Sequence, residues 1–287
     1  MNHSFKNKTT NSPKKLRHQW LMGILILIPW VIIVGVINVI ISLLANISYT
    51  PATSEQTSIE FLYIGIATLI GTITTVAIFT RWIEKRSFLD IGLRIEGKST
   101  DIIIGLIAGA LCMLTGYIIL IGTGQIEYIR TSFVLKNLTL SFVYYIIISL
   151  SEEILIRGYI LRCFMASFNK YIALILATTL FMISHLWNPN MSTLGMINVF
   201  LAGLTLGITY TYTKNLWFPI ALHFSWNFFQ SLFGFNVSGM NDYSMIECSI
   251  PDANIINGGA FGFEGSILAT IFQLILITCL IFYYKKD

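Results

Sequence analysis

Eight apolar stretches punctuate this sequence, at about 20–45, 59–80, 101–123, 137–162, 171–187, 193–213, 216–234 and 265–284. Each is long enough as a helix to cross about 30 Å of hydrocarbon at a rise of about 1.5 Å per residue. At that depth no water is available to backbone amides, so such stretches must satisfy their own hydrogen bonds, and a helix does so within one segment. The composition agrees, because 55% of residues are hydrophobic, only 11% are charged and mean hydropathy is +0.74, which excludes an ordinary soluble domain. The fold class expected is all-α: a polytopic membrane protein of about eight transmembrane helices.

Charge placement predicts the orientation. The tail before the first stretch holds Lys6, Lys8, Lys14, Lys15 and Arg17, and the apolar core that follows, 21–45, exceeds the roughly 7–15 residues of a signal-peptide core. It reads as a permanent anchor. With eight spans and both termini cytoplasmic, 16 of the 18 Lys and Arg residues fall inside, and only Arg130 and Lys136 fall outside. Lys and Arg accumulate in cytoplasmic loops, so the net charge of +4 is a topology signal and not the mark of a nucleic-acid partner. The lipid bilayer is the expected surrounding. The outer segment 235–263 has no Lys or Arg and is rich in Asn and Gly, which predicts an irregular loop. Cysteines 112, 163, 248 and 279 show no paired spacing, so neither a disulfide nor a cysteine-zinc site is expected.

Few ionisable groups are left at hydrocarbon depth. Glu152 and Glu153 lie well inside the fourth stretch, His185 in the fifth and His223 in the seventh. Charged groups in a bilayer cost a few kcal/mol each and are rare without a function. Glu153 and Arg157 are four apart and share a helix face, which suits a buried ion pair with a structural role. Glu152 lies about 100° round the helix and needs another partner. His223 and Asn227 are again four apart, as are Phe181 and His185. Each alone is ordinary, since an intramembrane His or Asn often only bonds a neighbouring helix and Phe181 suits a core. Together Glu152, His185, His223 and Asn227 form one set contributed by three helices.

These motifs, Glu152-Glu153 with Arg157, Phe181 with His185 and His223 with Asn227, resemble in type, spacing and order those of the CPBP (Abi) intramembrane proteases, which include the type II CAAX prenyl endopeptidases. Asp90-Ile91-Gly92-Leu93-Arg94 resembles a lead-in found upstream, so the resemblance reaches over about 87–224. The charge pattern sets off a cytoplasmic basic tail over 1–18, and the rest is expected to form one transmembrane protease-like domain over 19–287, with core motifs in 137–234. The resemblance implies hydrolysis of a peptide bond in a membrane-bound peptide or protein, prenylated or CAAX-like, by glutamate-activated water. Glu152 would then be the general base and His185 its assistant, with His223 and Asn227 stabilising the oxyanion. Glu153, Arg157 and Phe181 would support the site.

No cofactor is expected. Zinc is the alternative, with Glu152, His185 and His223 as ligands, but the HExxH helix signature of zinc hydrolases is absent. Rival functions are a non-catalytic bacteriocin-immunity or scaffold protein and a proton-coupled transporter. A bacterial plasma membrane is the expected location. One difficulty concerns depth: a fourth span over 137–162 puts Glu152 about 22 Å from one face and His185 about 21 Å from the other. Bringing them level requires the fourth span to continue towards Ser167 or the fifth to start later.

Overall fold

The computed structural model describes residues 18–45 and 57–285. The basic tail over 1–17 and Lys286 lie outside the described residues, and so does that part of the charge argument. Eight helical segments fall on the eight apolar stretches: α1 (Gln19–Ala45), α2 (Ser58–Ile83), α3 (Ser99–Gly122), α4 (Leu135–Met165), α5 (Lys170–Ser184), α6 (Thr193–Thr213), α7 (Trp217–Leu232) and α8 (Ile267–Lys285). Six of these, all but α5 and α7, are long and apolar enough to cross a membrane. Of the eight spans expected, α5 and α7 are the two that fall short of that length and composition. Helix α5 has 15 residues and α7 has 16, lengths of about 22 and 24 Å against the roughly 30 Å of a hydrocarbon core. On two of the long helices the outward residues fit an apolar setting: Ile28, Val31 and Leu44 of α1 and Ile103 and Ile107 of α3 are all more than half exposed.

Local signals mark the helix ends. Glu60 accepts from the Thr57 amide at 2.8 Å in a capping box, Asn169 accepts from the amides of Tyr171 and Ile172, and Ser192 accepts from that of Gly195. Helix α4 is α-helical to Glu153, a π-helix over Ile154–Leu161, then α-helical again to Met165. It thus runs past the predicted end at 162. Glu152 is then thirteen residues from the Met165 end and His185 fifteen from the start of α5, depths of roughly 20 and 22 Å from the same side. The depth difficulty disappears.

The all-α expectation needs a correction. Strands β1 (Glu127–Thr131) and β2 (Ile246–Ser249) pair antiparallel where the α3–α4 and α7–α8 connections meet. Arg130 fixes the pair by donating Nε and Nη2 to the two carboxylate oxygens of Glu247 at 2.8 and 2.9 Å. The segment 235–263, expected to be irregular, carries this strand and a short 3-10 helix, Gly259–Phe261.

Close backbone approach positions α7. A Cβ on Gly105 would stand 2.8 Å from the Phe218 carbonyl, and one on Gly109 2.7 Å from the Trp226 amide. The small pair at four-residue spacing lets α3 lie directly against α7, and Ser225 Oγ donates to the Leu106 carbonyl at 2.6 Å across the contact. The Asp90–Arg94 lead-in docks at the N-terminal end of α7. Gly92 takes φ +116 and its carbonyl accepts from the Leu216 amide, while those of Ile91, Leu93 and Arg94 accept from the side chains of Tyr210, Trp217 and Asn215. Ile91 packs at Gly158, one residue beyond Arg157, so the lead-in braces the π segment as well.

Candidate active site

The π segment starts directly after the paired glutamates, and π insertions in α-helices often accompany functional sites. Glu153 and Arg157 make the ion pair expected of them, Nη1 donating to Oε1 at 2.7 Å with the side chains 0% and 1% exposed. The guanidinium also donates to the Gly203 carbonyl at 3.3 Å and lies 4.4 Å from the centre of the Phe181 ring.

Glu153 has a further bond that helical spacing could not show. Its Oε1 is 2.9 Å from His223 Nδ1. The reading of Glu153 as a partner for Arg157 alone is therefore corrected: it serves a residue 70 positions away as well. Phe181 is equally shared. Its ring centre lies 4.5 Å from that of His185 and 6.5 Å, edge-on, from that of His223, so one aromatic side chain packs against Arg157 and both histidines.

His185 is the residue just past the end of α5, in a tight turn rather than within the helix as predicted. Its Nδ1 is 2.8 Å from the Phe181 carbonyl, which only accepts, so Nδ1 carries a proton. The Glu153 carboxylate, already paired with Arg157, likewise assigns the Nδ1 proton to His223. Both rings then turn Nε2 towards Glu152. Its Oε2 lies 4.0 Å from His185 Nε2 and 3.8 Å from His223 Nε2, and it has no hydrogen-bond partner among the described residues. Asn227, 8% exposed, lines the same cavity as these three residues, so all four members of the predicted set meet there.

The three converging atoms also test the zinc alternative. Zinc bonds of about 2.0–2.2 Å in a tetrahedron hold donor atoms about 3.3–3.6 Å apart. The separations of 3.8 and 4.0 Å are wider, and among the described residues no group of three or more His, Cys, Asp or Glu is arranged to hold a metal ion. The residues do not fit the ion, and no step is derived through one.

Residues 134–229 match the family model of the type II CAAX prenyl endopeptidase Rce1-like proteins. Over this segment the chain is similar to that family. The match covers a third of the chain, begins after the Asp90–Arg94 lead-in, and includes Glu152, Glu153, Arg157, Phe181, His185, His223 and Asn227. No match is found among curated proteins. The matched family is one of proteases, and that match together with six apolar helices marks the chain as an integral membrane protein.

The cavity beside the Rce1-like site has a volume of about 480 Å³ and is walled mainly by apolar side chains such as Trp30, Phe61, Tyr144 and Leu206. Polar residues on its wall that were not anticipated from sequence include Asp242, Glu264 and Gln273. Asp242 and Glu264 come from the α7–α8 connection, where an acid among turn formers looks like any solvated loop residue. Asp242 Oδ1 accepts from Ser58 Oγ at 2.7 Å, and Glu264 Oε2 accepts from the amide and hydroxyl of Ser238 at 2.9 and 2.8 Å. Burial holds the Glu264 carboxyl above the ordinary glutamate range, with the Ser238 bonds and then His185 and His223 pulling the other way.

Proposed function

We propose that this protein is an intramembrane endopeptidase that hydrolyses a peptide bond of a membrane-bound peptide or protein, with Glu152 as general base. The observation that carries the reading is the unpartnered Glu152 Oε2 facing two histidine Nε2 atoms inside an apolar cavity. The Rce1-like match to a family of CAAX-type proteases supports it.

In this mechanism Glu152 takes a proton from water as the water oxygen attacks the scissile carbonyl. His185, its Nδ1 held by the Phe181 carbonyl, accepts from the same water and orients it. Charge builds on the carbonyl oxygen, where the Asn227 amide donates, and loss of one such donor typically costs about 10²-fold or more in rate. His223 offers an Nε2–H to that oxygen only as the imidazolium, with Glu153 as its counter-ion at 2.9 Å. The proton held by Glu152 then passes to the leaving nitrogen as the C–N bond breaks. No metal or other cofactor enters this scheme.

The chain is placed by this proposal in a bacterial plasma membrane with both termini cytoplasmic, the short helices α5 and α7 completing the eight crossings within a locally thinner or protein-filled section. The substrate is a peptide or protein of that membrane, and nucleic acid has no part.

The test uses the purified full-length protein in liposomes with quenched apolar peptides. Glu152→Ala, His185→Ala and Asn227→Ala are each expected to lose about 10²-fold or more in kcat/KM. Wild-type turnover in all three would overturn the assignment of Glu152 as base, and no cleavage of any peptide by the folded wild-type protein would overturn the protease reading in favour of a scaffold or immunity protein. Proton flux abolished by Glu152→Ala, without peptide cleavage, would point to a transporter.

A further inference from the structure

The end of α2 carries positive charge that the described residues do not neutralise. Arg81, Lys85 and Arg86 fall within six residues, and none has a carboxylate partner among the described residues. The other four described arginines do: Arg94 with Asp90, Arg130 with Glu247, Arg157 with Glu153 and Arg162 with Glu84. Glu84, the one acid in 79–89, is turned inward, and both its oxygens accept from Arg162 Nη2, at 2.7 and 2.9 Å. Lys and Arg gather at helix ends through the topology bias alone, so position by itself signifies little. Two unpaired guanidinium groups on one turn, where every other described arginine is paired, are the distinguishing observation.

The three cations sit on a built turn at headgroup depth. Helix α2 has 26 residues, about 39 Å against the roughly 30 Å of a hydrocarbon core, so its last turn reaches the polar layer. That turn is a π-helix, Phe79–Ile83; Lys85 then takes φ +56, and the Arg86 amide donates to the Thr80 carbonyl at 2.9 Å. Trp82 is 72% exposed, and Leu89 and Ile95 are about half exposed. An outward Trp is favoured at a membrane interface. Cations interleaved with apolar side chains match anionic headgroups lying above acyl chains, and a guanidinium meets a phosphate with two parallel N–H donors.

The same segment is tied to the helices of the site. Glu84 holds Arg162 of α4, Ile91 packs at Gly158 of α4, and the Gly92 carbonyl accepts from the Leu216 amide at 2.9 Å, directly before α7 with His223 and Asn227. We propose that Arg81, Lys85 and Arg86 bind the phosphate of an anionic phospholipid headgroup, with Trp82 beside it in the interface, and that the bound lipid steadies this brace on α4 and α7. The effect on turnover rests on the protease reading; the lipid site does not.

Binding is measured on the full-length protein in neutral micelles with acyl-labelled phosphatidylglycerol or phosphatidylcholine. Wild type is expected to bind the anionic lipid about 10- to 100-fold more tightly, and raised salt should narrow the ratio. In the triple variant Arg81→Gln, Lys85→Gln, Arg86→Gln the ratio should fall towards one. A charge-matched control, Lys170→Gln, Lys214→Gln, Lys285→Gln, should keep it. Equal binding of the two lipids by folded wild-type protein overturns the inference, whatever the variants do. Equal loss in the control overturns it too, because the attraction would then belong to the whole surface. Displacement by inorganic phosphate as effective as that by phosphatidylglycerol would make a free anion the ligand and also overturn it. Cleavage of quenched apolar peptides is then compared in phosphatidylcholine vesicles with and without phosphatidylglycerol. The anionic lipid is expected to raise wild-type kcat/KM about 5-fold or more and to leave the triple variant unmoved. Selective binding with unchanged turnover keeps the lipid site and overturns the bracing. Selective binding with no cleavage of any peptide keeps the lipid site and removes the protease.

Discussion

Glu153 Oε1 stands 2.9 Å from His223 Nδ1 and joins the fourth helix to the seventh at the centre of the site. The same oxygen takes the Arg157 Nη1 proton at 2.7 Å, so one carboxylate fixes both the ion pair of its own helix and the tautomer of a histidine on another. Two like charges side by side in sequence thus have separate duties. Glu152 faces the cavity, and Glu153 anchors what faces it.

Glu153→Gln is expected to hurt stability and rate together. The amide leaves Arg157 as a buried uncompensated charge, a loss of about 3–5 kcal/mol, and it can hold His223 in the wrong tautomer. On the protease reading kcat should fall about 10²-fold or more with a smaller change in KM. Thermal unfolding in detergent and steady-state cleavage of the quenched peptides measure the two effects.

Phe181→Leu keeps an apolar side chain but removes the ring that packs on Arg157 and both histidines. A loss of about 1–3 kcal/mol is expected from the aromatic and cation–π contacts. An unchanged midpoint of unfolding would show that the ring contributes little to holding the site.

Gly109→Ala should separate α3 from α7. The new Cβ would lie 2.7 Å from the Trp226 amide nitrogen, and backbone cannot give way as a flexible side chain can. Overpacking of this kind costs about 1–3 kcal/mol. Gly122→Ala is the control, with nothing within 4 Å of the added methyl. Its midpoint should stay within the error of wild type.

Glu264 gives a pH signature of definite sign. Its folded-state pKa is raised above the unfolded value, so the folded protein binds the extra proton between the two. The stability it contributes is complete below the ordinary glutamate range and is lost as pH rises through the raised value. His185 and His223 face Glu264 and oppose the shift, so the comparison must be made against Glu264→Gln. The difference in melting temperature, wild type minus variant, should decline with rising pH across that window. A flat difference would show that burial does not perturb the group.

Local spacing carried much of this structure. The eight helical segments follow from apolar runs that a bilayer forces into helices, and the Glu153–Arg157 pair follows from a four-residue spacing that places neighbours on one face. The motif set Glu152, His185, His223 and Asn227 was legible because few other polar groups occupy the apolar stretches. Pairing of His223 with Glu153 was not, since no periodicity relates residues 70 positions apart. Nor could spacing show that α4 continues through a π segment to Met165, which brings Glu152 and His185 to one depth. The loop acids Asp242 and Glu264 look solvated in sequence, and only the folding of the α7–α8 connection against the cavity gives them a common wall with Glu152. The sequence by itself determined which helices form and which polar groups they carry, because hydrophobicity and helical period act over a few turns. The tertiary structure alone decided which of those groups meet, because that depends on how closely small residues such as Gly105 and Gly109 let distant helices approach.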